Sequence, residues 1–274
     1  MSRAFSVVLW AATGLALAFL VVPVVAIFVN VPPGELLDAL RSDVAQDALR
    51  VTLETTLIAQ TLILLVGTPA AYLLANARFP GRNVAITLVE LPLVLPPAVA
   101  GVGLLAAFGR LGLLGDTLSA FGLEIAFTKA AVVMAVVFVA GPFYVRTAIA
   151  AFEGVDRTLV DASRTLGKGP GATFARVALP LASGGLWAGA ALSFARGLGE
   201  FGATIMFAGS LQGVTQTLSL AVYEQFDVDF DTALAIGAEL VLASGALLLA
   251  VKLIPSWRSS TQTSTTAFVR STSS

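Results

Sequence analysis

The residues of this 274-residue chain best placed to do chemistry are charged side chains set inside apolar runs. Arg196 and Glu200 stand four apart in the stretch Leu181 to Ala208, so on a helix they share one face. Charges at membrane depth are costly and normally face a bundle interior or water. One reading makes Arg196 a cation that helps an anion along a path. The other makes the two residues a mutually neutralising pair that holds a helix or a dimer. The second is favoured, because Glu200 repels the anion that Arg196 would attract. Glu54, Gln60, Glu90 and Glu239 are the other polar residues in or near apolar runs, and sequence alone gives them no role. Histidine and cysteine are absent, which removes thiolate and imidazole nucleophiles, bases and metal ligands. No metal or other cofactor is expected on this chain. Gly167-Lys168 faintly resembles a phosphate-binding loop, but Ala162 stands where its first glycine is required and Gly169 replaces the Ser or Thr.

The elements that must position these residues are membrane helices. The chain is 57% hydrophobic and 12% charged, about half the charge of a soluble domain. Its mean hydropathy is +0.90. A crossing needs about 20 apolar residues. Six segments qualify: Val7–Val29, Val51–Ala75, Val84–Phe108, Ala130–Phe152, Leu181–Ala208 and Ala233–Ile254. The first is too long for the apolar core of a signal peptide and reads as a retained helix. The third is interrupted by Glu90, Pro92, Pro96 and Pro97, and the fifth by Arg196 and Glu200. Such breaks should face protein or a cavity. Pro96-Pro97 with Gly101 and Gly103 fits either a bend used in gating or a static break, and Pro142 beside Gly141 marks a kink. Gly185, Gly189, Gly197, Gly199 and Gly202, with Ala195 and Ala203, include small-xxx-small pairs suited to close helix contact, a dimer seam included.

With both termini on the cytoplasmic side, Arg3, Arg78, Arg82, Arg157, Arg164, Lys168, Arg176, Lys252, Arg258 and Arg270 lie inside. Only Arg41, Arg50, Arg110 and Lys129 lie outside, in accord with the positive-inside rule. Residues 1–255 form one all-α membrane domain. The Ser/Thr-rich tail 256–274 is expected to be disordered and cytoplasmic.

The longest polar connection between apolar runs is the inner loop, about 152–180. Asp156 can cap a helix that runs to about Leu166, with Gly167 as its stop. Val155, Leu159, Ala162, Ser163 and Leu166 fall on one stripe, and Arg157, Asp161 and Arg164 lie opposite. Pro170 suits the first turn of a second helix leading through Phe174 and Val177 to Leu179-Pro180. Spacing alone fits two readings: an amphipathic helix lying on the membrane, or one gripped by a partner.

From Asp161 the chain reads Asp-Ala-Ser, three residues, Gly167, nine residues, then Val177-Ala178-Leu179-Pro180. This resembles the "EAA" loop of permease subunits of bacterial ATP-binding cassette importers, E-A-A, three, G, nine, I-x-L-P. Asp, Ser and Val replace Glu, Ala and Ile, and the spacing is intact. Three further stretches resemble the molybdate branch and its sulfate and tungstate relatives. They are Leu91-Pro92-Leu93-Val94-Leu95-Pro96-Pro97, Phe108 to Gly115, and Phe194-Ala195-Arg196-Gly197-Leu198-Gly199-Glu200-Phe201-Gly202. The resemblance implies a type I importer permease fold in a prokaryotic cell membrane. It implies two permease copies around one path, two ATPase subunits that carry ATP and Mg, and an external oxyanion-binding protein. It implies an ATPase-docking helix carrying Asp156, Leu159, Asp161, Ala162, Ser163, Arg164, Leu166 and Gly167. Arg196, Gly199, Glu200 and Gly202 are left to the pathway or the dimer interface. The permease itself would catalyse nothing and bind no nucleic acid. The rival to an ATP-driven permease is a lone secondary carrier, which would need Glu54, Glu90, Glu200 or Glu239 as an ion-coupling site. Uptake by the isolated chain without ATP separates the two.

Overall fold

The computed structural model describes residues 3–253, apart from a few side chains near the two ends, and the expected tail 256–274 lies outside them. Among the described residues every regular element is a helix, in the order α1 Arg3–Asn30, α2 Pro33–Leu40, α3 Asp43–Asn76, α4 Arg82–Val94, α5 Pro97–Phe108, α6 Gly115–Ala120 and α7 Lys129–Glu153. There follow α8 Arg157–Thr165, α9 Pro170–Thr173, a π-helical turn Phe174–Ala178, α10 Leu179–Leu198, α11 Gly202–Ala208, α12 Leu218–Phe226 and α13 Phe230–Leu253. Among these residues four helices are long and apolar enough to span a membrane, Phe5–Asn30, Asp43–Asn76, Lys129–Glu153 and Pro170–Leu198. The bent pair α4–α5 adds a fifth if counted as one span. The 24-residue α13 occupies the place of the sixth expected segment, of which Ile254 is not described.

The centre is the pair α3–α7, with α10 laid across it. Lipid tails are as apolar as leucine, so association here depends on close packing more than on expelling water. The buried contact is accordingly built from small residues: Ala59, Ala71, Ala140, Ala148, Ala182 and Ala190 surround Tyr144. The Tyr144 hydroxyl lies 2.6 Å from Thr68 Oγ1, which satisfies a phenol that would otherwise be buried dry. Pro142 sits inside α7 without ending it. By contrast, α1 leaves almost its whole apolar surface exposed, as a helix bathed in lipid must.

Two expected spans are broken where the sequence placed interruptions. The segment Val84–Phe108 bends by 115° between α4 and α5, at Leu95 and Pro96. Leu95 is extended because a residue before proline avoids helical backbone, and Pro97 restarts the chain at the first position of α5. The segment Leu181–Ala208 also divides. α10 stops at Leu198, Gly199 to Phe201 leave the helix, and α11 turns to pack on α5. That packing is tight. A Cβ on Gly101 would lie 2.5 Å from the Ala203 carbonyl oxygen, and one on Gly202 2.8 Å from Pro97 Cβ.

Candidate functional site: the loop helix and the charges of the bundle

The loop helix α8 forms as the sequence predicts. The Asp156 carboxylate accepts the Thr158 amide at 2.9 Å and caps the helix. Hydrogen bonds from Thr158 hold that carboxyl below its ordinary range. Gly167 takes φ +79°, where a side chain would be strained. Its amide bonds Arg164 O at 2.9 Å, and the Lys168 amide bonds Ser163 O at 3.2 Å, which closes a Schellman stop.

The motif residues then separate into two jobs. Ser163 is buried, with its Oγ 3.1 Å from Thr173 Oγ1, so it ties α8 to α9. Thr173, fully buried, was not singled out by sequence; it carries no motif signal beyond lying ten residues after Ser163. Leu159, Asp161, Ala162, Arg164 and Leu166 are all exposed. The apolar stripe expected on α8 is therefore turned largely outward instead of into the bundle. With Lys168, Ala172, Arg176, Val177, Pro180 and Leu181, its residues Leu159, Ala162, Ser163 and Leu166 line an open groove of about 450 Å³. Behind the loop, Tyr72, Phe152 and Phe174 stack with centroids 4.7 to 6.2 Å apart and join α3, α7 and the π-turn. Arg82 Nη2 reaches Glu153 at 2.8 Å and closes the same end of the bundle.

Arg196 and Glu200 do meet: Arg196 Nη2 lies 2.7 Å from Glu200 Oε2, although without hydrogen-bond alignment at that oxygen. The Glu200 side chain is 1% exposed and the Arg196 side chain 27%. The other carboxylate oxygen accepts the Ala203 amide at 2.8 Å, at the start of α11. Glu200 O accepts Ser219 Oγ at 2.6 Å, one residue into α12. Glu200 thus fastens α10, α11 and α12 to one another, and Arg196 neutralises it. Gly202 belongs to the α5–α11 contact. Gly199 has open space around the place of a Cβ.

Other polar residues gain partners that no local spacing announces. Glu54 receives Lys129 at 2.7 Å and Arg50 at 2.8 Å, tying α3 to the start of α7. Gln60 donates to Ala190 O at 3.3 Å and accepts Ser193 Oγ at 3.0 Å, bridging α3 to α10. One Glu239 carboxylate oxygen is buried without a hydrogen-bond partner. Glu90 stands 3.5 Å from Arg146, a residue the sequence reading did not single out. Among the described residues no cluster of His, Cys, Asp or Glu is set to hold a metal ion.

The small residues of α10 face two ways. Gly185, Gly189 and Gly197 are used within the protomer: a Cβ at each would come within 3.0 Å of Ala151, Thr147 or Val136 of α7. Gly184, Ala188 and Gly199 lie on another face and stay exposed.

A bundle of membrane-length helices whose loop helix presents an uncovered apolar and charged face defines a multi-pass membrane protein. Residues 63–257 match the family of binding-protein-dependent transport system inner membrane components. The chain is 44% identical over 239 residues to the molybdenum transport system permease protein ModB of Mycobacterium tuberculosis, covering 86% of this chain and 89% of that one. It is 36% identical over 210 residues to the sulfate transport system permease protein CysT of Escherichia coli, covering 76% of each. Among solved structures it is similar to a bacterial alginate ABC transporter in complex with an alginate pentasaccharide-bound periplasmic protein (TM-score 0.70, 15% identity, 90% of this chain and 92% of that one). The chain belongs to the binding-protein-dependent transport system inner membrane component family, and its fold is that of an ABC importer permease.

Proposed function

We propose that this chain is the permease subunit of an ATP-driven importer of molybdate. The observation that carries the substrate is the 44% identity, along nearly the whole chain, to permeases named for molybdenum transport. The groove-bearing face of α8 is the docking surface for an ATPase subunit on the cytoplasmic side. Ser163–Thr173 and the Tyr72–Phe152–Phe174 stack pass its movement to the spanning helices. ATP and Mg belong to that partner. A second copy of the permease packs against the free small-residue face of α10, at Gly184, Ala188 and Gly199, where backbones can approach closely. An external binding protein delivers the anion. Sulfate is the second reading, supported by the 36% identity to a sulfate permease.

The test is reconstitution with the ATPase and binding protein of its transport system, followed by uptake competition among molybdate, tungstate and sulfate. Molybdate should displace the others at the lowest concentration. Preferential uptake of sulfate supports the second reading, and uptake by the permease alone without ATP overturns both.

A further inference from the structure

Arg146 is the intramembrane cation with the fewest claims on it. It lies in α7, about 10 Å from Glu153 and about 25 Å from Lys129 along the axis at 1.5 Å per residue. Its side chain is 68% exposed, against 27% for Arg196. Its nearest carboxylate, Glu90, is 40% exposed, and the 3.5 Å approach from Arg146 Nε makes no hydrogen bond. Arg196, by contrast, sits 2.7 Å from a carboxylate that is itself fully buried and committed to capping α11.

The position of Arg146 is set by its neighbours. α10 covers one side of α7 through Gly185 against Ala151 and Gly189 against Thr147. α4 covers another side through Glu90 and through Arg82 against Glu153. Arg146 and Ala150 are left exposed in the trough between α4 and α10. Lipid does not suit this trough. A charged residue at the centre of a spanning helix costs about 2.5–3.5 kcal/mol. A long arginine can reach toward headgroups, but the short Glu90, about 12 Å into α4, cannot follow. Two charges at one depth on two elements call for water or a facing protein surface.

We propose that Arg146 is an anion-contacting residue of the translocation path in its α8-proximal half, with Glu90 weakening its hold so that the anion leaves. The proposal deepens the transport reading and rests on it. A path residue must attract without trapping. An arginine faced by a loosely placed carboxylate does so: the anion competes with Glu90 for the guanidinium and is released when Glu90 returns. This assigns to Arg146 the pathway role that sequence spacing offered to Arg196.

The test is ATP-driven uptake of radiolabelled molybdate into proteoliposomes by the whole complex, normalised to permease assembled with its ATPase. Four variants are compared: Arg146→Gln, Arg146→Lys, Glu90→Gln and Arg146→Gln with Glu90→Gln. Loss of one partly hydrated charge contact should lower the Arg146→Gln rate about fivefold to tenfold. Arg146→Lys should keep at least half the wild-type rate. Glu90→Gln should lower the maximal rate, because the anion is held longer at Arg146 without its competitor, and the double variant should remain as low as Arg146→Gln. A structural pair instead gives both single neutralisations equally harmful and the double restored, and that result overturns the proposal. So does a wild-type rate in Arg146→Gln. A wild-type complex that takes up neither molybdate nor sulfate overturns the transport reading itself, and the proposal with it.

Discussion

Removing Glu200 tests whether its pairing with Arg196 holds the fold together or serves the anion. The carboxylate is buried, accepts the Ala203 amide at 2.8 Å and lies 2.7 Å from Arg196. Glu200→Ala leaves the amide without an acceptor and the guanidinium without a counter-charge. Breaking a buried pair from one side costs about 3–5 kcal/mol. Arg196 keeps part of its hydration at 27% exposure, which places the expected loss near the lower end, about 3 kcal/mol. Glu200→Gln can still accept the Ala203 amide, so about half that loss is expected, because a charge-assisted hydrogen bond is worth about 1.5–3 kcal/mol. The uncharged double variant Arg196→Met with Glu200→Gln keeps an acceptor for the Ala203 amide and leaves no unpaired charge, so it should recover most of the stability. Reversible unfolding in mixed micelles by SDS titration reads these differences directly. Uptake by the double variant then separates the two roles: a stable double variant should transport. A Glu200→Ala protein within 1 kcal/mol of wild type, or a stable double variant that assembles but does not transport, would refute the reasoning.

Four further outcomes are expected. Gly101→Val and Gly202→Val each force a side chain into the α5–α11 contact, where even a Cβ meets atoms at 2.5 to 2.8 Å, and each should reduce the folded yield in detergent on size-exclusion chromatography. Gly199→Ala, which meets open space in the chain, should fold normally, and under the proposed pairing of two copies any defect should appear in the dimer fraction. Ser163→Ala loses the contact with Thr173 and should cost about 1 kcal/mol, with a larger loss of ATP-driven uptake than of folded protein. For Asp156 the folded carboxyl lies below its ordinary value of 3.8. Its contribution to the start of α8 is therefore complete above that value and lost as pH falls through the lower folded midpoint. A carboxyl titration of Asp156 in the folded permease should place that midpoint below 3.8 and leave the cap unchanged from pH 5 to 8.

The parts of the fold legible in the sequence were those governed by local rules. Apolar runs marked α1 and α7, Asp156 and Gly167 set the ends of α8, and spacing put Arg196 beside Glu200. What escaped depends on residues distant in sequence. Lys129 finds Glu54, Arg146 approaches Glu90, and Glu200 holds both α11 and Ser219, none of which a period can announce. For a related reason, Leu181–Ala208 showed an interruption at Arg196 and Glu200 but not the turn that follows it. Its apolar content suits one long helix, but Gly101 and Gly202 let α5 and α11 approach so closely that the chain turns to meet them. The glycines of α10 were recognisable as contact residues. Which of them serve the protomer and which remain free depended on rotation about the axis, and Gly184 and Gly185 differ by one position.

The run from Pro170 to Leu198 is one continuous helix of 29 residues that passes through the π-helical turn Phe174–Ala178. From Gly185 to Gly197, about 18 Å of axis, it is pressed against α7 with no room for a further methyl group. Along that length the two helices can shift only as one rod. Any flexing between the loop and the bundle must therefore fall before Gly185, where the π-helical turn already loosens the regular hydrogen-bond pattern.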